Sequence, residues 1–161
     1  MFVRLSGKAN KVVHFEEFDI EPQDPQLGQP LEIKATIKID EPIVNGTVSS
    51  LSITKYVGLG LFSVPVKIPC ISGFGSCSGS FCEAFTHPDS KICEFMKGLG
   101  RQCECPIQPG VFHTPEHMTV VLPNPSGLGK LLAKGPYRIT WEWSGPDGTQ
   151  LGCITADATL K

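Results

Sequence analysis

No apolar run in this sequence approaches the roughly 20 residues that a helix needs to cross a bilayer. Charge of one sign is equally scarce. The 14 lysines and arginines against 16 aspartates and glutamates leave a formal net charge of −2, so the basic footprint of a nucleic-acid binder is absent. Several motifs are missing too: the G-x-S-x-G nucleophile elbow, the phosphate loop ending in G-K-[ST], and the G-x-G-x-x-G dinucleotide fingerprint. Gly58-Leu59-Gly60 precedes no helical pattern and is not a phosphate cradle. Met1–Lys8 has no sustained apolar stretch of the kind a secretory leader requires, so a secreted origin implies a leader outside this sequence. His113-Thr114-Pro115-Glu116-His117 matches the H-x-x-E-H pattern of one zinc-peptidase group, but that chemistry needs a helix, and Pro115 breaks one. The expectation is no metal, no cofactor and no catalytic residue.

What the sequence does have is turn formers and cysteine. Its 17 glycines and 14 prolines disfavour long helices and favour short strands with tight turns. Seven cysteines are present, and six of them (Cys70, Cys77, Cys82, Cys93, Cys103 and Cys105) crowd one stretch while Cys153 stands apart. No C-x-x-C half-site exists for zinc. Clustering of this density reads as a disulfide framework in an oxidising compartment. The 161 residues fit one domain, 1–161, with 70–105 as a disulfide-rich insertion.

Outside that insertion the hydropathy alternates with period two, the mark of half-buried strands. Leu31, Ile33, Ala35, Ile37 and Ile39 share one face of a strand, and Leu51, Ile53, Lys55 and Val57 suggest another. In the clearest strand Tyr137, Ile139, Trp141 and Trp143 oppose Arg138, Thr140 and Glu142. Ile154, Ala156, Ala158 and Leu160 mark the last. Within the insertion, Ser80 is placed to cap one short helix and Asp89 or Ser90 a second, with Gly98 as its stop. Six or more short strands with intervening turns predict an all-β, antiparallel two-sheet architecture.

Two apolar segments lie among glycines and prolines: Leu59, Leu61, Phe62 and Val64, then Leu128, Leu131 and Leu132. Such residues on loops either fold back into the core or meet a lipid or partner. The Tyr137–Trp143 face likewise fits a filled core or a hollow one. Asn45-Gly46-Thr47 is both a tight-turn signal and an N-glycosylation acceptor sequence.

The cysteine-rich stretch, read as Lys67-Ile68-Pro69-Cys70, Gly75-Ser76-Cys77, Phe81-Cys82, Cys93 and Cys103-Glu104-Cys105-Pro106, closely resembles the ganglioside GM2 activator family within the ML lipid-recognition group. Pro136-Tyr137-Arg138-Ile139 and Leu151-Gly152-Cys153-Ile154 are similar to it as well. The resemblance implies an antiparallel β-cup around an apolar cavity. It implies a non-enzymatic carrier that takes a glycosphingolipid or phospholipid from a membrane surface and presents a ganglioside's sugar to a soluble lysosomal β-hexosaminidase. It implies bridges Cys70–Cys77, Cys82–Cys105 and Cys93–Cys103, and it places the two apolar segments at the cavity lip with Tyr137, Ile139, Trp141 and Trp143 lining the cup. A lysosomal or secreted location follows from it. The family's N-terminal cysteine, partner of the one matching Cys153, has no counterpart before Cys70. Phe62 stands where the family has a lip tryptophan, and Asn45 lies away from the family's glycan. The rival expectations are a sterol or phospholipid carrier with no enzyme partner, an adhesion-type sandwich with a filled core, and a small hydrolase with an unrecognised site.

Overall fold

The computed structural model of the chain describes residues 2–4, 12–26, 28–59, 61–71, 75–87, 89–98, 101–116, 118–121 and 134–160. In chain order its elements are β1 (Phe2–Arg4), β2 (Val13–Glu21), β3 (Pro30–Ile39), β4 (Val48–Leu59), β5 (Phe62–Lys67), β6 (Ser78–Ser80), α1 (Phe81–Thr86), α2 (Lys91–Gly98), β7 (Gly110–His113), β8 (Thr119–Val121), β9 (Gly135–Ser144) and β10 (Gln150–Leu160). Among the described residues one sheet runs β1-β10-β9-β4-β5, with β6 also on β4, and the other runs β2-β3-β7, with β8 also on β3. Every pairing between these strands is antiparallel.

The alternating pattern sets the inner faces. In the larger sheet Ile139 is in register with Ile53 and Ala156, and Trp141 with Leu51 and Ile154, so two apolar rows cross three strands. β2 reaches the same end by a different route. Its register slips between Phe15 and Glu17, and the extra residue of this β-bulge carries Phe18 and Ile20 onto the inner face that Val13 and Phe15 already occupy.

The sheets meet where β2 begins. The Val12 N–H donates to the Leu151 carbonyl at 3.1 Å. Gly152 makes the approach possible, because a Cβ there would lie 2.8 Å from Val13 Cβ. Phe15 stacks on Trp143 with ring centroids 5.4 Å apart, and Phe81 meets Trp143 edge-on at 6.4 Å. Phe85, wholly buried, stacks on Phe81 and completes a packed end to the sandwich.

That end depends on the disulfide region. Ser80 Oγ accepts from the Glu83 N–H at 3.3 Å and caps α1, and Ser90 Oγ does the same for the Cys93 N–H at α2. Helices of six and eight residues do not persist alone in water. Cys82–Cys105 and Cys93–Cys103 fasten them to the segment before β7, and Cys70–Cys77 closes the loop between β5 and β6. The Glu21–Pro22 and Cys105–Pro106 peptide bonds are cis.

One segment differs from the expected irregular loop. β4 continues to Leu59, and its residues 54–59 pair antiparallel with 62–67 of β5. Pro65 is tolerated in a strand here because β5 lies at the sheet edge, where a missing backbone donor breaks no further ladder.

Candidate functional site

Away from the packed end the two inner faces enclose an open pocket of about 420 Å³. β2 and β3 contribute Phe18, Ile20, Ile33, Ala35 and Ile37 to one wall; β4, β9 and β10 contribute Leu51, Ile139, Trp141, Ile154 and Ala156 to the other. Phe15, Trp143, Phe81, Phe85 and Met96 lie toward the packed end. The volume falls within the range of about 300–1,000 Å³ usual for small-molecule sites.

The lining offers almost no polarity. Among the described residues Thr114 is its one hydroxyl-bearing side chain, and that oxygen accepts from the Ala35 N–H at 2.9 Å, so it is turned to the β3 backbone. The Trp141 indole N–H donates to Ser49 Oγ at 2.6 Å. The Trp143 indole N–H is buried without a hydrogen-bond partner among the described residues. A surface of this kind binds by removing apolar groups from water.

The sequence-predicted residues take different positions. Ile139, Trp141 and Trp143 line the pocket. Tyr137, on the same strand face, is buried outside the lining against Ile68, and burial pushes its phenol pKa upward. Leu61, 98% exposed, and Phe62, 77% exposed, project from the β4–β5 hairpin with Val64 beside them. The backbone of Leu59 ends β4. Leu128, Leu131 and Leu132 lie outside the described residues. The β2 wall of Phe15, Phe18 and Ile20 was missed by the sequence reading, because the bulge breaks the alternation that would have revealed it.

Beyond the pocket on the inner face of β4 is Lys55, in register with Tyr137. Its ammonium lies 5.7 Å from the Tyr137 ring centroid. No salt bridge among the described residues involves it. The outer faces carry compensated charge instead. Arg138 binds Asp157 through two hydrogen bonds of 2.7 and 3.0 Å. Lys34 lies 2.8 Å from Glu17 and holds its carboxyl below the ordinary value by hydrogen bonding and charge. His113 ends β7 and shares a 3.0 Å hydrogen bond with Thr36. His117, the other histidine of H-x-x-E-H, lies outside the described residues. No group of three metal-ligating side chains occurs among the described residues.

Residues 6–160 match the ML domain model. The chain belongs to the ML domain family. ML proteins are lipid-binding and lipid-transfer proteins without catalytic activity, and this chain carries their domain. Disulfide-bonded members are typically secreted or lysosomal. The chain is 36% identical to the mouse ganglioside GM2 activator over 102 residues, which is 60% of this chain and half of that relative's length. A Niemann-Pick type C2 protein from the Japanese carpenter ant superposes with a TM-score of 0.50 at 14% identity, over 98% of this chain and 99% of that one. At that identity the likeness is one of fold.

Proposed function

We propose that this ML protein extracts glycosphingolipids, gangliosides among them, from membranes and presents their sugars to a soluble β-hexosaminidase, in lysosomes or after secretion. The observation that carries the reading is the open pocket with its apolar lining, read as the cavity of a β-cup. The 36% identity to a ganglioside GM2 activator supports the choice of lipid and of enzyme partner.

Acyl chains entering the pocket gain about 0.8 kcal/mol per methylene relative to water. Relative to a bilayer most of that gain cancels, since the tails exchange one apolar phase for another. A shuttle needs this balance, because a carrier that bound its cargo far more tightly than the membrane would not release it. The exposed Leu61 and Phe62 supply an apolar tip for transient membrane contact. They lack the polar handle that anchors tryptophan at the interface, which favours a reversible visit. Lys55, next along the inner face of β4 beyond the pocket, supplies a cation for an anionic head group emerging from it.

Incubation with vesicles containing ganglioside, phospholipid and sterol, followed by native mass spectrometry, tests the first half of the reading. Hydrolysis of the same ganglioside by β-hexosaminidase, with and without the protein, tests the second. Stoichiometric ganglioside and faster hydrolysis are expected. Bound phospholipid or sterol without stimulation would instead establish a carrier with no enzyme partner. A protein that stays lipid-free would overturn the reading of the pocket.

A further inference from the structure

Two buried polar atoms have no hydrogen-bond partner among the described residues: Trp143 Nε1 and Thr47 Oγ1. Burying a hydroxyl unpaired is unfavourable, and each such atom in a native fold calls for a reason. For Trp143 the reason is its ring, which stacks on Phe15, meets Phe81 edge-on and lines the pocket. Thr47 has no comparable return. Its side chain is wholly buried. Its backbone N–H donates to the Val44 carbonyl at 3.2 Å and its own carbonyl accepts from the Phe81 N–H at 2.9 Å, so the structural work of residue 47 is done by the main chain. Valine has the same shape without the unpaired oxygen.

The hydroxyl has a use before folding. It is the third residue of Asn45-Gly46-Thr47, an acceptor sequence in which a hydroxyl-bearing residue two positions after asparagine is required. We infer that Asn45 is N-glycosylated and that Thr47 is retained for that reaction at the expense of the folded state. In the reaction Asn45 Nδ2 attacks the anomeric carbon of an oligosaccharide carried on a polyprenyl diphosphate. The new N–C bond replaces the sugar–phosphate bond, the amide loses one proton, and the lipid diphosphate leaves. Folding then buries Thr47 and leaves Asn45 outside.

The folded geometry accommodates the product. Asn45 is exposed, on a turn whose next residue, Gly46, has φ +88°. A depression of about 350 Å³ adjoins it, bordered by Glu83 and Thr86 of α1, by Glu104, and by Cys82 and Cys105 of one disulfide. Three disulfides fit passage through an oxidising secretory compartment, where the transfer takes place.

The test uses the full chain secreted from eukaryotic cells behind a cleavable leader. Intact mass is measured before and after peptide N-glycosidase F for the wild type, Asn45→Gln, Thr47→Ser and Thr47→Val. The wild type and Thr47→Ser are expected to lose the mass of an N-glycan, and the other two to be unchanged by the enzyme. A wild type that the enzyme leaves unchanged overturns the assignment. The second arm compares melting of Asn45→Gln with that of the double variant Asn45→Gln/Thr47→Val, neither of which carries the glycan. The double variant is expected to melt higher by about 2–4 °C. Equal or lower melting would mean that the hydroxyl is no burden and would remove the argument that glycosylation retains it. Should Asn45→Gln fail to fold, enzymatically deglycosylated wild type, in which hydrolysis of the amide leaves a carboxylate at position 45, replaces it as the reference, compared with Asn45→Asp/Thr47→Val.

Discussion

Replacing Ala156 with leucine distinguishes a hollow interior from a filled one. Ala156 lies on β10 in register with Ile139 and lines the pocket. Leucine adds three carbons at that position. In an unfilled space they gain contacts with the surrounding apolar side chains, an increment of up to about 2.4 kcal/mol at roughly 0.8 kcal/mol per methylene. For a chain of this size each kcal/mol moves Tm by about 2–4 °C, so the lipid-free variant should melt several degrees higher. The same carbons occupy room that an acyl chain would use. Displacing about three methylenes weakens binding of monomeric lipid from water by about 2.4 kcal/mol, or about 60-fold in Kd. Calorimetry of delipidated protein and competition binding with a fluorescent single-chain amphiphile measure the two effects. In a filled core the added volume is overpacking and costs about 1–3 kcal/mol. A fall in Tm, or an unchanged lipid affinity, would refute the reasoning.

Other outcomes follow from the same geometry. Leu61→Asp combined with Phe62→Asp should abolish vesicle association in a flotation assay while leaving stability within about 0.5 kcal/mol of wild type, because exposed sites contribute little to the fold. Lys55→Gln should reduce the preference for anionic over neutral head groups by up to about fivefold, the worth of one weak ion pair, as read by competition between the two lipids. The Asp40 carboxyl is held below its ordinary value of 3.8, first by its hydrogen bond to Lys38 and also by His14. Its contribution is therefore complete above that value and lost as pH falls through the lower folded-state value. The Tm difference between wild type and Asp40→Asn should accordingly shrink as solutions are taken below pH 3.8.

The ladder architecture was legible because strand and cap signals are local. Leu31–Ile39 and Tyr137–Trp143 alternate without interruption, and Ser80 and Ser90 cap the helices their positions predict. β2 was illegible because one inserted residue at the bulge shifts the phase of Phe18 and Ile20 relative to Val13 and Phe15, and a period-two template then reads noise. The 58–65 segment read as loop because glycine and proline are poor strand formers, yet pairing with β4 outweighs propensity at an edge.

The sequence by itself determined an antiparallel β architecture, its strand faces and the disulfide-rich character of its cysteine cluster, because period, turn chemistry and composition act over a few residues. Only the tertiary structure decided what those faces enclose. Tyr137 and Trp141 occupy equivalent positions in one alternation, yet Tyr137 packs against Ile68 while Trp141 lines the pocket. Similarly, Phe62 and Phe85 are the same residue type, one 77% exposed on a hairpin and the other wholly buried on the inner side of α1. The difference lies in the spacing of the two sheets and in the glycine, bulge and disulfides that set it. Those contacts join residues far apart in the chain, and no local pattern encodes their distance.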